Sequence, residues 1–224
     1  MKAIRTTVTV LVMILFSAHL VLGQDLSKYQ TFSLGTSLAD LSKQLGSNSY
    51  ETSLIHQRPA VIQETTLRLW GFSSSGEKVD PVSEIVFSSY NGKLYRMVVI
   101  YDQHATEGLT AEDMVQAVSA LYGTATRPAT EINLPMKRSH ESGEKVIARW
   151  EDSQNSVNLF RSGILDSFGL VVLSKRVNAE AEAAITKSIR QDEKEAPQKE
   201  IERQKKEADD LELARQKNRK TFHP

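Results

Sequence analysis

The chain contains no cysteine. That excludes disulfides, thiolate nucleophiles and thiolate metal ligands, and it removes the residue that would carry a lipoprotein anchor. Whatever folds must fold on packing alone. Net charge is also missing: 28 Lys and Arg balance 28 Asp and Glu. A dedicated nucleic-acid binder needs a basic field, which a neutral balance does not supply. The apolar run at the start, from about Val8 to Leu22, is shorter than the ~20 residues that span a bilayer. Phosphate-cradling patterns of the G-x-x-x-x-G-K-[ST] or G-x-G-x-x-G kind do not occur, nor does an HExxH pair or a G-x-S-x-G elbow.

What is present begins with "MKAIRTTVTVLVMILFSAHLVLGQDL". Lys2 and Arg5 precede the apolar run, and Val21 and Gly23 stand at the positions before a cut at Gln24. This is the layout of a secretory signal peptide over residues 1–23. It predicts an exported protein, periplasmic or secreted, with no stable membrane span after cleavage. An uncleaved anchor is the other reading of the same residues.

Two stretches share a plan. "LGTSLADLSKQLG" has Ser37 and Asp40 spaced as a capping box, then Leu38, Leu41 and Leu45 on one helical face, then Gly46 as a stop. "EGLTAEDMVQAVSALYGTATRP" repeats this with Thr110 and Asp113, with Leu109 and Met114 as a staple, with Met114, Val118 and Leu121 on the face, and with Gly123. Strand-like runs follow each. After the first come 61–70, 84–90 and 94–101, the last two joined by Asn91-Gly92, which favours a two-residue hairpin turn. After the second come 145–150, 156–161 and 168–174.

The predicted fold is therefore α+β: two tandem helix-plus-three-stranded antiparallel sheet units, residues 24–105 and 106–176. A long charged C-terminal helical tail, 177–224, follows. Asn178 is placed to cap that helix, Ala181, Ile185 and Ile189 fall four apart, and Pro197 interrupts or kinks it. Ile201, Ala208 and Leu211 make a thin coiled-coil-like stripe. The segments 71–81 and 126–144 are linkers.

The helix-Gly-meander unit of "LGTSLADLSKQLG" resembles the β-lactamase-inhibitor-protein-like modules of bacterial envelope proteins, over residues 30–175. That resemblance implies a non-enzymatic protein that binds or scaffolds another protein in the envelope. "HQRPAVIQE", "GLTAEDM", "LYGTATRP" and the tail look like a group of exported bacterial proteins, and that likeness carries no catalytic residues.

For chemistry the residues themselves offer two readings. In "LYRMVVIY", period two places Tyr95, Met97, Val99 and Tyr101 on one face of a strand and Leu94, Arg96, Val98 and Ile100 on the other. An open sheet face around Arg68, Trp70, Tyr95 and Tyr101 would grip a protein partner, helped by the C-terminal helix, because Tyr and Trp cover area with few rotors. The alternative is a secreted hydrolase whose site assembles only in space from His104, Asp102, His56 and Arg58. It requires those four groups to converge in a cleft. Ser73, Ser74 and Ser75 have no local base, and His140 and His223 have no partner at metal-ligand spacing. No cofactor or metal is expected.

Overall fold

The computed structural model describes residues 25–48, 50–69, 81–126, 133–134, 144–162 and 167–221. The expected signal segment 1–23, Trp70, Ser73–Ser75, His140 and His223 lie outside the described residues, as does most of both expected linkers.

The fold is α+β. A short hairpin, β1 (Lys28–Tyr29) and β2 (Phe32–Ser33), precedes helix α1 (Leu38–Leu45). Four strands follow: β3 (Tyr50–His56), β4 (Ile62–Arg68), β5 (Val82–Tyr90) and β6 (Lys93–Tyr101). Helix α2 (Ala111–Tyr122) then leads to β7 (Asn133–Leu134), β8 (Glu144–Glu151), β9 (Asn155–Arg161) and β10 (Phe168–Ser174). Helix α3 runs from Lys175 to Thr221. The strands make one antiparallel sheet in the order β3-β4-β5-β6-β10-β9-β8-β7. Each run after a helix is thus a meander of four strands, not three, and β6 and β10 join the two meanders edge to edge.

The helix ends are set by local chemistry. Asp113 N–H donates to Thr110 Oγ1 at 3.2 Å and Thr110 N–H donates back to Asp113 Oδ2 at 2.8 Å, closing the capping box. In α1 the Ser37 hydroxyl oxygen accepts from Asp40 N–H at 3.1 Å. Gly46 and Gly123 end the helices at φ 58° and 82°, a region open to glycine. Asn91 and Gly92, at φ 48° and 79°, form the predicted hairpin turn between β5 and β6.

Both short helices and the β1–β2 hairpin cover one face of the sheet. Leu41 and Leu45 of α1 and Met114 and Val118 of α2 pack there against Ile85, Phe87, Met97, Val99, Leu159 and Leu170. Phe32 meets Phe87 edge-on, ring centroids 4.8 Å apart. Trp150 is fully buried, as its alternation with Ala148 predicts, and its indole N–H donates to Gly123 O at 2.9 Å. Leu121 departs from expectation and is 61% exposed. The buried stripe of α2 continues from Val118 to the half-buried Tyr122, whose hydroxyl donates to Lys28 O at 2.6 Å.

The C-terminal helix corrects the sequence reading at three points. It begins at Lys175, directly after β10, so Asn178 lies in its first turn and is not its cap. Its buried residues are Ala181, Ala184 and Ser188, while Ile189 is exposed. Pro197 lies inside a continuous helix. At 1.5 Å per residue its 47 residues extend about 70 Å. Every side chain from Ala196 to Thr221 is exposed, so this part forms an arm.

Candidate functional site: a groove between the sheet and the C-terminal helix

Among the described residues, helix α3 packs on the second face of the sheet at its β3–β4 end. Helix α3 leaves β10 and is tied at its start by Lys175, whose Nζ lies 2.8 Å from Glu151 Oε2 and donates to Asp152 O at 2.7 Å. It crosses to the β3–β4 turn, packing Ala181 and Ala184 on Ala60, Ile62 and Tyr95. There His56 Nδ1 lies 3.0 Å from Ser188 Oγ, and Arg58 pairs with Glu195 and, at 3.5 Å, with Asp192. Arg58 and Lys199 together hold the Glu195 carboxyl down at about 2.

On the same face, beside α3, lies a groove of about 910 Å³. Its floor is Val86 of β5, Val98 and Ile100 of β6 and Phe160 of β9. Glu64 and Thr66 of β4 and Glu84 of β5 line one part, with Arg96 of β6 between the apolar residues and the helix. The wall is a stripe of α3: Asn178, Glu182, Ile185 and Thr186. Those four are at spacings of four, three and one, so they share a helical side adjacent to the one that packs down.

Two β-bulges give the groove its polar character. The ladder between β5 and β6 slips between Ser88 and Ser89, whose partners are Arg96 and Leu94. Tyr95 is the extra residue, and the slip turns Leu94 into the α1–α2 core and Tyr95 toward α3. A second slip, between Val82 and Glu84, puts both Ser83 and Glu84 on the groove side. Strict alternation along "LYRMVVIY" therefore fails at its first two residues.

Phe160 stands directly across the β9–β10 ladder from Gly169. A Cβ on Gly169 would lie 2.2 Å from the ring's Cζ. The glycine is thus the space in which the Phe160 ring lies, flanked by Val98, Val146 and Val171.

Burial lowers the pKa of the Arg96 guanidinium, and the charges of Tyr95, Glu182 and Glu64 act the other way. An arginine titrates far above neutrality, so it stays charged. Burial also raises the Tyr95 phenol. Asn178 Nδ2 donates to Glu182 Oε1 at 2.7 Å, which fixes the orientation of the amide. The buried Asn178 Oδ1 has no hydrogen-bond partner among the described residues.

The residues expected from sequence are distributed as follows. Tyr95 is buried beneath α3, at the edge of the groove. Arg68 stands at its rim, Nε 3.4 Å from Glu84 Oε2. Tyr101 is on the opposite face, packed against the main core and hydrogen-bonded to Tyr29, with its phenol pushed up by burial. Trp70 lies outside the described residues. The groove residues that sequence reasoning missed, Val86, Val98, Ile100, Phe160 and Arg96, carry one legible signal: Arg96, Val98 and Ile100 alternate on the strand face away from Met97 and Val99.

The four groups of the hydrolase reading do not converge. His56 is level with Ile62, Tyr90 and Lys93 at one end of the sheet, and Asp102 follows Tyr101 at the other. Nine strand residues separate the two levels, about 30 Å. His104 is 92% exposed, 4.0 Å from Glu107, and Asp102 accepts a turn N–H from Ala105 at 3.0 Å. Arg58 serves α3 as described. The contact of Ser188 with His56 is sealed under the helix, Ser188 being buried. Among the described residues no group of His, Asp and Glu is arranged to hold a metal ion, and no helix is long and apolar enough to cross a membrane.

No family model matches the chain, and neither a curated protein nor a solved structure matches it.

Proposed function

We propose that this chain is an exported, non-catalytic envelope protein that binds another macromolecule in the groove between the sheet and α3. The carrying observation is a groove of about 910 Å³ on one sheet face, walled on one side by a helix. A sheet that needs only a core buries both faces or exposes polar residues; this one presents Val86, Val98 and Ile100 to a concavity. The contact surface is the sheet face expected from sequence, moved from the Tyr101 side to the Arg96 side, with Arg68 retained at the rim. The exposed arm of α3 is a second contact element, rich in charge and able to reach beyond the body.

The same reading takes the two helix-plus-meander segments as one unit used twice, in the manner of the envelope modules that "LGTSLADLSKQLG" resembles. In its favour is the order of elements, a helix and four strands in each half, with the last strands of the two meanders paired.

The test is site-specific photo-crosslinking in envelope extract, with the crosslinker at Thr66 or Thr186 in the groove and at Glu107 on the far loop. A discrete adduct from the groove positions alone supports the reading. Equal, diffuse labelling from all three, or recovery of monomer only, counts against it.

A further inference from the structure

The outer edge of strand β3 is a second surface, and its own residues indicate a partner. We infer that it pairs with the same strand of a second copy of this chain, antiparallel about a two-fold axis at Thr52, and so joins two sheets into one. The inference concerns the sheet edge and holds whether or not the groove binds.

Strand β3 is an end strand of the sheet and, among the described residues, pairs with β4 alone. An end strand turns a row of backbone N–H and C=O groups outward, and these are satisfied by water or by another strand. Tyr50 to Leu54 are exposed without interruption, so neither α1 nor α3 covers them. Edges are kept from pairing by charge, especially lysine, by proline, or by a bulge. From Tyr50 to Leu54 there is one charge, Glu51, and the bulge comes only after Leu54. These five residues form a regular, open edge.

The side chains select the partner. Tyr50, Thr52 and Leu54 stand opposite Leu67, Thr65 and Gln63 of β4, on the face of the main core. Tyr50 is 37% exposed and Leu54 55%, so two apolar groups flank a threonine. Glu51 and Ser53 stand opposite Thr66 and Glu64, on the groove face. In a two-fold dimer the same patch meets itself. For antiparallel strands of one sheet that axis is perpendicular to the sheet, and residues that meet lie on the same face. The registers that overlap most of the segment place Glu51, Thr52 or Ser53 on the axis. The first sets two carboxylates directly opposite each other, which is unfavourable. The third sets Thr52 against Leu54 and carries the pairing into the bulge. With Thr52 on the axis, each Tyr50 meets a Leu54 of the other copy and Thr52 meets Thr52. Each Glu51 then faces a Ser53 hydroxyl that can donate to it. Cross-strand packing and hydroxyl contacts of this kind are what stabilise paired strands. A seam this short is small for a specific interface, so dissociation at about micromolar concentration is expected.

The experiment is sedimentation velocity of the purified protein from about 1 to about 100 µM, with a shift from monomer to dimer expected. Tyr50→Lys and Leu54→Glu, at exposed positions, should each weaken association tenfold or more. An equal mixture of the two should recover it, because one copy's new ammonium faces the other's new carboxylate. The chain has no cysteine, so Thr52→Cys introduces a single thiol. Across the axis the two Cα atoms lie about 4.5–5.5 Å apart, within disulfide reach. Mild oxidation should therefore link Thr52→Cys as a dimer. Ser53→Cys, whose mate is a diagonal neighbour about 7–8 Å away, should link at least tenfold less. Monomer at every concentration overturns the inference. So does a dimer indifferent to both charge substitutions, or one linked equally through the two cysteine positions. If the protein is monomeric and Thr52→Cys links instead to a different protein in envelope extract, the edge belongs to another chain and the second copy is excluded.

Discussion

Replacing Gly169 by alanine tests how the groove floor is built. The added methyl would sit 2.2, 2.6 and 2.8 Å from three ring carbons of Phe160, inside any real contact distance. Gly169 has no positive φ, so alanine is acceptable to the backbone and the effect is steric alone. The ring is 1% exposed and bounded by Val98, Val146 and Val171, so it cannot simply rotate clear. Overpacking of this kind costs about 1–3 kcal/mol. Restricting the unfolded chain by Gly→Ala offsets about 0.4–1 kcal/mol of that. The net expectation is a loss of about 1–2 kcal/mol in urea unfolding followed by far-ultraviolet circular dichroism. Made in a Phe160→Leu background, the same change should cost at least about 0.5 kcal/mol less, because contacting residues couple. A Gly169→Ala protein as stable as the parent, or an identical cost in both backgrounds, would refute the claim that the ring occupies the glycine's space.

Other expectations follow from the same reasoning. Thr110→Ala removes the hydroxyl that accepts from Asp113 N–H and should destabilise the protein by about 1 kcal/mol in thermal unfolding. Leu45→Ala, at a site 1% exposed, should cost about 2–5 kcal/mol in the same assay. Ending the chain after Ala196 should leave the melting temperature of the body within a degree or two, since the side chains removed are exposed. The Glu195 carboxyl is held at about 2, below its ordinary value of 4.5, by Arg58 and Lys199. Because the folded-state value is depressed, this stabilising contribution is complete above about pH 4.5 and is lost as pH falls through about 2. Amide signals of 188–195 should shift in that window by nuclear magnetic resonance, and in Arg58→Gln the midpoint should move up toward the ordinary value.

Much of the fold was legible because its signals are local. Asn91-Gly92, the Thr110 cap and the Gly46 and Gly123 stops each act over a few residues, and each is where the spacing puts it. Strand β3 was not legible. "YETSLIH" lies at the sheet edge with five exposed residues in a row, so it has neither a two-residue alternation nor an apolar run. The start of α3 was missed for a different reason: its first residue, Lys175, is placed by contacts with Asp152 and Glu151 of a hairpin distant in sequence. Strict alternation along β6 broke at one bulge. A bulge at Tyr95 moves that ring to the face of Arg96, and the ladder slip that produces it depends on β5, not on β6 alone. Arg68 lies on the face that period two gives it, because the β4–β5 ladder has no slip.

The direct passage from β10 into α3 has a mechanical consequence. A pull on the far end of the arm first loads the Arg58 clasp at the β3–β4 turn, and next the small-residue seam of Ala181 and Ala184. Only then does it reach β10, a strand bonded on both sides near the middle of the sheet. Tension would therefore strip the wall from the groove, and open the binding face, before it strained the body that carries it.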